Sequence, residues 1–167
     1  MPSLRKRAPR RAPAADPKDA SAAEVAAVAL LARRDFASGE LGSKLRARGF
    51  DSGVVEELLA RLRARRLLND ERYAGHFVEY HSARGQGPVR IRRDLQAVGV
   101  DSALIEAALE TVPDWAGLAR EVRRRRFGAK LPEVWREKGR QARFLQYRGF
   151  SNDHIRTALG PDFEMDA

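Results

Sequence analysis

The stretch Leu45-Arg46-Ala47-Arg48-Gly49-Phe50-Asp51-Ser52-Gly53-Val54-Val55 decides the fold, because its pattern returns twice at a spacing of fifty residues. Glycine stands at 49, 99 and 149, and each is followed by a large apolar residue, Phe50, Val100 or Phe150. Leu45, Leu95 and Leu145 keep one offset, Val55, Ile105 and Ile155 a second, and Leu59, Leu109 and Leu159 a third. Just after the glycine come Asp51-Ser52, Asp101-Ser102 and Ser151-Asn152, each pair offering a side chain that accepts from free amides at a helix start. The shared unit is therefore helix, glycine stop, apolar residue, cap, helix. Glycine suits the left-handed position that ends one helix, and the apolar residue after it packs back on that helix.

Periodicity around these anchors is helical, with Val54, Leu58 and Leu62 at four-residue steps beside Val55 and Leu59, and with Ile91, Leu95 and Val98 in the second unit. No stretch alternates as a half-buried strand does. Each unit also has room for a preceding helix: 22–36 around Val25, Val28 and Phe36, 70–84 around Tyr73, Phe77 and Tyr80, and 115–127 around Trp115, Leu118 and Val122. Asn69-Asp70-Glu71 and Pro113-Asp114 mark starts, while Gly85 and Gly87 followed by Pro88 mark a stop and the next start. One such unit is too small to bury its apolar face alone. The expected fold is all-α, an elongated curved solenoid of three tandem three-helix repeats at 24–68, 69–113 and 114–160. A disordered basic tail over 1–23 and an acidic C-terminal tail over 161–167 are expected to flank it.

With 167 residues the chain is long enough for a sizeable core. It has no cysteine, which removes disulfides, thiolate zinc sites and cysteine nucleophiles. No window is apolar enough to span a membrane, and the basic residues from Met1 to Arg11 are followed by no apolar stretch, so neither an anchor nor a signal peptide is expected and the cytoplasm is the default compartment. The balance of +9 favours a polyanionic partner, and its position is more informative than its total. From Glu24 to Asp114 fourteen bases meet fourteen acids, whereas from Trp115 to Arg148 eleven bases meet three.

That basic segment holds Arg120, Arg123, Arg124, Arg125, Arg126, Lys130, Arg136, Lys138, Arg140, Arg143 and Arg148. Four consecutive arginines cover every side of a helix, including positions that packing would prefer apolar. Phosphate contact through counterion release is what such a cluster does best, and Arg90, Arg92 and Arg93 form a weaker second group. The aromatic set Tyr73, Phe77 and Tyr80 has the spacing of a core face rather than of stacking platforms.

Nothing points to catalysis. His76 and His81 lie five apart on one expected helix and His154 stands alone, which is not ligand spacing for a metal. Gly85-Gln86-Gly87 lacks the continuation of a dinucleotide fingerprint or a P-loop, and reads as a turn between helices. No Gly-x-Ser-x-Gly occurs, and the carboxylates have helix-surface spacing. No cofactor is expected.

Several motifs in order resemble the RecX regulatory proteins of bacteria, which modulate the RecA recombinase. They are Gly39-Glu40-Leu41 with Lys44-Leu45-Arg46-Ala47-Arg48-Gly49-Phe50, then Leu68-Asn69-Asp70-Glu71-Arg72-Tyr73-Ala74, then Gly87-Pro88-Val89-Arg90-Ile91, and finally Phe144-Leu145-Gln146-Tyr147-Arg148-Gly149-Phe150-Ser151. The resemblance covers about 24–160 and implies three tandem three-helix repeats. It departs at Ala37, where the family often has a capping serine so that Ser38 would cap one residue later, and at Val98, where a basic residue usually precedes the middle glycine. It also implies a non-catalytic protein that binds the RecA nucleoprotein filament on single-stranded DNA and limits strand exchange and coprotease activity; a monomer is expected, though not from the resemblance. The alternative from another class is a free-standing helical DNA- or RNA-binding protein such as a transcriptional regulator. That reading would want a helix offering Arg, Asn or Gln to base edges, and a symmetric dimer.

Overall fold

The computed structural model describes residues 16–160 and 163. Its elements are α1 (Ala20–Leu31), α2 (Ser38–Ala47), α3 (Ser52–Ala64), α4 (Asp70–Ala83), α5 (Pro88–Ala97), α6 (Ser102–Leu109), α7 (Trp115–Phe127), α8 (Trp135–Arg148) and α9 (Asn152–Leu159). Among the described residues there is no strand. The all-α class and the three tandem three-helix repeats read from the sequence are thus the architecture found.

The fifty-residue unit closes in the same way each time. Gly49, Gly99 and Gly149 all have positive φ, at 96°, 79° and 91°. The amides of Phe50, Val100 and Phe150 then donate back to the carbonyls of Leu45, Leu95 and Leu145 at 3.3, 3.2 and 3.1 Å. This six-to-one bond is the Schellman closure, and the apolar residue that makes it is buried in every repeat. Asp51 and Asp101 cap the next helix by accepting from Gly53 N and Ala103 N at 2.8 and 2.9 Å. Ser151 caps α9 through His154 N at 3.4 Å, while His154 Nδ1 accepts from Ser151 N at the same distance. The leucines at 45, 95 and 145 and the β-branched residues at 55, 105 and 155 have no exposed surface.

Compactness divides the described residues into two units, one built from 16–35 with Leu41–Leu67, the other from Phe36–Glu40 with 68–160 and 163. In the first, α1 packs on α3 through Ala23, Ala27 and Leu30. The helix expected over 22–36 is shorter and starts earlier, capped by Asp19 at Ala22 N, and it exposes Val25 and Val28. Its inward face is alanine, whose small side chain lets two helices approach closely. The Pro17 carbonyl accepts from Asp51 N at 2.8 Å, so the described part of the expected tail belongs to this unit. The expected disorder over 1–15 lies outside the described residues.

The second unit holds two cores. One gathers Ala37, Ala74, Val78, Ile91, Leu95, Val100, Ile105, Ala108 and Leu109, the other Ala119, Val122, Ala142, Leu145, Phe150, Ile155, Ala158, Leu159 and Phe163. Trp115 packs against both and donates from Nε1 to the Leu109 carbonyl at 3.2 Å. Phe163, within the expected acidic tail, is 3% exposed and stacks on Trp135 at 5.5 Å. Phe36 lies in the loop before α2 and is buried. Ala37 is fully buried, and the amide of Ser38 donates to Asp70 Oδ1 at 2.7 Å, so a carboxylate from α4 serves the start of α2.

The turn Gly85-Gln86-Gly87 joins α4 to α5 and brings α5 against the end of α8. The amides of Gly87 and Val89 donate to the carbonyls of Arg148 and Gly149 at 2.8 and 3.0 Å. A Cβ on Gly87 would lie 2.3 Å from the Gly149 oxygen, and one on Gly149 would lie 2.3 Å from Arg90 Cβ. Gly39 meets the Val98 carbonyl in the same manner, where a Cβ would sit 2.6 Å from its oxygen.

Two expectations follow. Gly49 and Gly149 share a positive φ, yet a Cβ at Gly49 would touch nothing within 4 Å. Gly49→Ala should cost about 1 kcal/mol from the left-handed backbone alone, whereas Gly149→Ala adds a clash and should cost about 3 kcal/mol. Urea unfolding followed by circular dichroism checks this, and equal costs would show that the close approach carries no stability. Burial also lowers the pKa of His81 and of His154 from the ordinary 6.5. The unfolded chain then binds more protons in mildly acid solution, so stability should fall as pH drops through 6.5 and recover as it rises. Urea midpoints across that range measure the slope, which replacing both histidines by glutamine should flatten.

Candidate nucleic-acid interface

The basic segment folds as α7, a connecting loop and α8, and its arginines separate into three kinds. Arg123 is 4% exposed and serves packing. Its Nη1 donates to the Lys130 carbonyl at 3.1 Å and to Gln141 Oε1 at 3.3 Å, and its Nη2 to the Ala129 carbonyl at 3.2 Å. The side chain thereby ties the loop after α7 to α8, and it is not available to a phosphate. The expectation that Arg123 joins the phosphate-contacting set is corrected here, because its guanidinium is buried and spent on protein oxygens. A periodicity signal for it existed: Arg123 follows Ala119 by four and adjoins Val122, both on the buried face of α7.

Arg148 and Arg92 are likewise occupied. Arg148 Nη2 donates to the Arg84 carbonyl at 2.8 Å across the α5–α8 junction. Arg92 grips Glu106 in two parallel bonds, Nε to Oε1 at 2.6 Å and Nη2 to Oε2 at 2.8 Å, joining α5 to α6. That fork holds the Glu106 carboxyl below its ordinary pKa and raises the Arg92 guanidinium.

A second kind is exposed but paired. Glu121 receives both Arg124 and Arg125, at 2.6 and 2.8 Å, and Arg125 followed by Arg124 lowers its pKa. Glu137 takes Arg140 at 2.8 Å with the same effect. Arg120 meets Asp114 at 3.4 Å and Lys130 meets Glu133 at 3.0 Å. Arg90, half-buried with its Nε shut off from solvent, and the exposed Arg93 share Asp94 at 3.6 and 3.2 Å. Exposed pairs of this sort are weak and exchange readily for another anion.

The third kind, Arg126, Arg136, Lys138 and Arg143, forms no ion pair among the described residues. Arg126 joins Arg125, Arg148 and Arg84 around a cleft of about 440 Å³ floored by Val122 and Phe144. Arg136, Arg140 and Arg143 border a second, about 600 Å³, on α8. Arg84 comes from the section that is neutral overall, and sequence reasoning missed it for that reason. Its guanidinium lies 3.4 Å from the ring centroid of Tyr80, which is exposed rather than in the core expected for it. Tyr73 and Phe77 are partly buried against the second-repeat core, as their spacing requires.

The arrangement is a set of shallow, arginine-walled clefts with few acids, suited to successive phosphates of an extended strand. Among the described residues no group of three or more His, Asp or Glu side chains could hold a metal, and no helix is long and apolar enough to cross a membrane.

Family comparisons cover all three repeats. Residues 23–62 match the first three-helix domain of RecX, 69–109 the second and 117–159 the third. The chain belongs to the RecX regulatory protein family. It is 46% identical over 142 residues to the regulatory protein RecX of Halorhodospira halophila, covering 84% of this chain and 88% of that relative. It is 42% identical over 130 residues to RecX of Pseudomonas entomophila, covering 77% and 84%. The crystal structure of RecX from Lactobacillus salivarius superposes with a TM-score of 0.72 at 24% identity, over 84% of this chain and 94% of that one, and so shares the fold.

Within this RecX fold the buried and the free arginines should respond oppositely. Arg123→Ala leaves two carbonyls and a buried amide oxygen without their donor, and should cost about 3 kcal/mol in urea unfolding with soluble protein still recovered. Arg126→Ala should change stability by less than about 0.5 kcal/mol while weakening polyanion binding. Glu121→Gln frees Arg124 and Arg125 and should strengthen that binding. Heparin affinity across a salt series measures all three, and equal effects of Arg123→Ala and Arg126→Ala on binding at matched folded fraction would sink the division.

Proposed function

We propose that this chain is a non-catalytic modulator, chiefly an inhibitor, of the RecA recombinase. It binds the RecA filament on single-stranded DNA in the cytoplasm, as a monomer, and limits strand exchange and coprotease activity in recombination, repair and the SOS response. The observation that carries this reading is the match of all three repeats, in order, to the three RecX domains. The arginine clefts supply a physical means. Arg126, Arg136 and Arg143, with Lys138, lie free to replace counterions on the strand that the filament encloses. Contacts of this kind add affinity for the nucleoprotein without any bond being made or broken, and a bound chain that spans neighbouring subunits blocks their continued assembly.

The test is RecA ATPase and strand exchange on single-stranded DNA, titrated with the protein well below one copy per recombinase subunit. Both activities should fall at concentrations too low to coat bare DNA. Combined Arg126→Ala, Arg136→Ala and Arg143→Ala substitutions should leave the fold intact and reduce the salt slope of DNA binding by about 2, from roughly 0.7 per lost phosphate contact. Loss of activity only when the DNA itself is saturated would replace this reading by simple competition from a free-standing DNA-binding protein.

A further inference from the structure

Arg136, Arg140, Arg143 and Tyr147 follow one another on α8 at steps of four, three and four residues, which places them on one helix face. All four are exposed, and Tyr147 is 78% exposed. The stripe does not stop at the end of α8. Because α5 begins against Gly149, the Arg90 guanidinium lies 5.9 Å from the Tyr147 ring centroid, and Arg93 follows three residues further along α5. An aromatic side chain therefore stands, bare to solvent, between three arginines on one helix and two on the next. A tyrosine on the solvent side of a helix adds nothing to a core, and its ring here is flanked by cations suited to phosphates.

Resting on the proposed binding to single-stranded DNA, we propose that Tyr147 is a base-stacking platform at the centre of a basic stripe that runs from α8 onto α5. A nucleotide base lies on the phenol ring, and the flanking phosphates face Arg143 and Arg140 on one side and Arg90 and Arg93 on the other. Stacking requires only a π-face, so the contact holds any base, as a regulator acting on arbitrary sequence needs. Arg90, at 5.9 Å from the same ring centroid, lies at the outer reach of a cation–π contact with it.

Fluorescence anisotropy of a short mixed-sequence DNA strand, compared with a strand of equal length carrying abasic sites, tests this on the full chain. Tyr147→Ala should weaken binding to the normal strand roughly tenfold, the loss of one base–aromatic stack, and leave the abasic strand unaffected. Tyr147→Phe should restore binding, since the ring and not the hydroxyl is used. Unchanged affinity for the normal strand, or an equal loss on both strands, would overturn the proposal. Inhibition of the RecA filament that is lost in Tyr147→Ala while DNA affinity stays intact would also overturn it, making this face a protein contact. Should the wild-type chain show the Tyr147-dependent stacking but no effect on RecA filaments, the platform would stand and the RecA reading would fall.

Discussion

The carbonyls of Arg148 and Gly149 at the end of α8 accept from the amides of Gly87 and Val89 at the start of α5, at 2.8 and 3.0 Å. Groups that every helix leaves unsatisfied at its ends are here satisfied by another helix. The geometry demands that no side chain intervene, and Gly87 and Gly149 supply that absence. Arg148 then spans the junction to the Arg84 carbonyl, and Trp115 lies against both cores of the same unit. Much of the second unit depends on this one approach of backbone to backbone. It fixes where α5 begins, and so where Arg90 and Arg93 stand relative to the exposed face of α8.

An arginine-rich surface usually invites one explanation, and here three are needed. Arg123 is buried where a shorter side chain could not reach Ala129 O, Lys130 O and Gln141 together. Its charge is met by carbonyl and amide oxygens alone, and its Nε has no acceptor among the described residues. Arg124 and Arg125 spend their charge on Glu121, an arrangement that water and salt weaken and that a phosphate can displace. Arg126, Arg136 and Arg143 have no such occupation, and the field they create is what an approaching polyanion meets first. The same residue type thus stabilises the fold, modulates the surface potential and offers contacts, according to what surrounds each guanidinium.

Membership of the RecX family and the arginine distribution bear on different questions. The first says what kind of protein this is, and the second says which of its cationic side chains are buried, which are paired and which form no ion pair among the described residues. A fold made of three similar units has no need to treat them alike. The second repeat, over 69–113, locks Arg92 to Glu106 and carries five bases against seven acids, while the third carries eleven bases against three acids between Trp115 and Arg148. Under the proposed function, this divergence of charge on a common scaffold would turn the third repeat toward phosphate.

Local chemistry made much of this legible in the sequence. The glycine stops, the acid or serine caps and the apolar residues that close each helix depend only on backbone φ and on neighbours within a few positions, so a fifty-residue repeat displayed them directly. The same locality explains where reading failed. α1 ends at Leu31 rather than 36 and turns its alanines inward, because the helix packs on α3 through its smallest side chains, a choice made by a surface far away in sequence. Phe163 is buried beside Trp135 although acids surround it in the chain. Above all, Arg123 and Arg126 are identical letters in one run, and only the loop returning past α7 encloses the first and leaves the second in solvent. The sequence by itself determined the helices, their stops and the threefold repeat, since these follow from short-range sterics and period. Which charges are spent on the fold and which remain for a partner was decided by tertiary structure, because burial and pairing are properties of segments brought together from a distance.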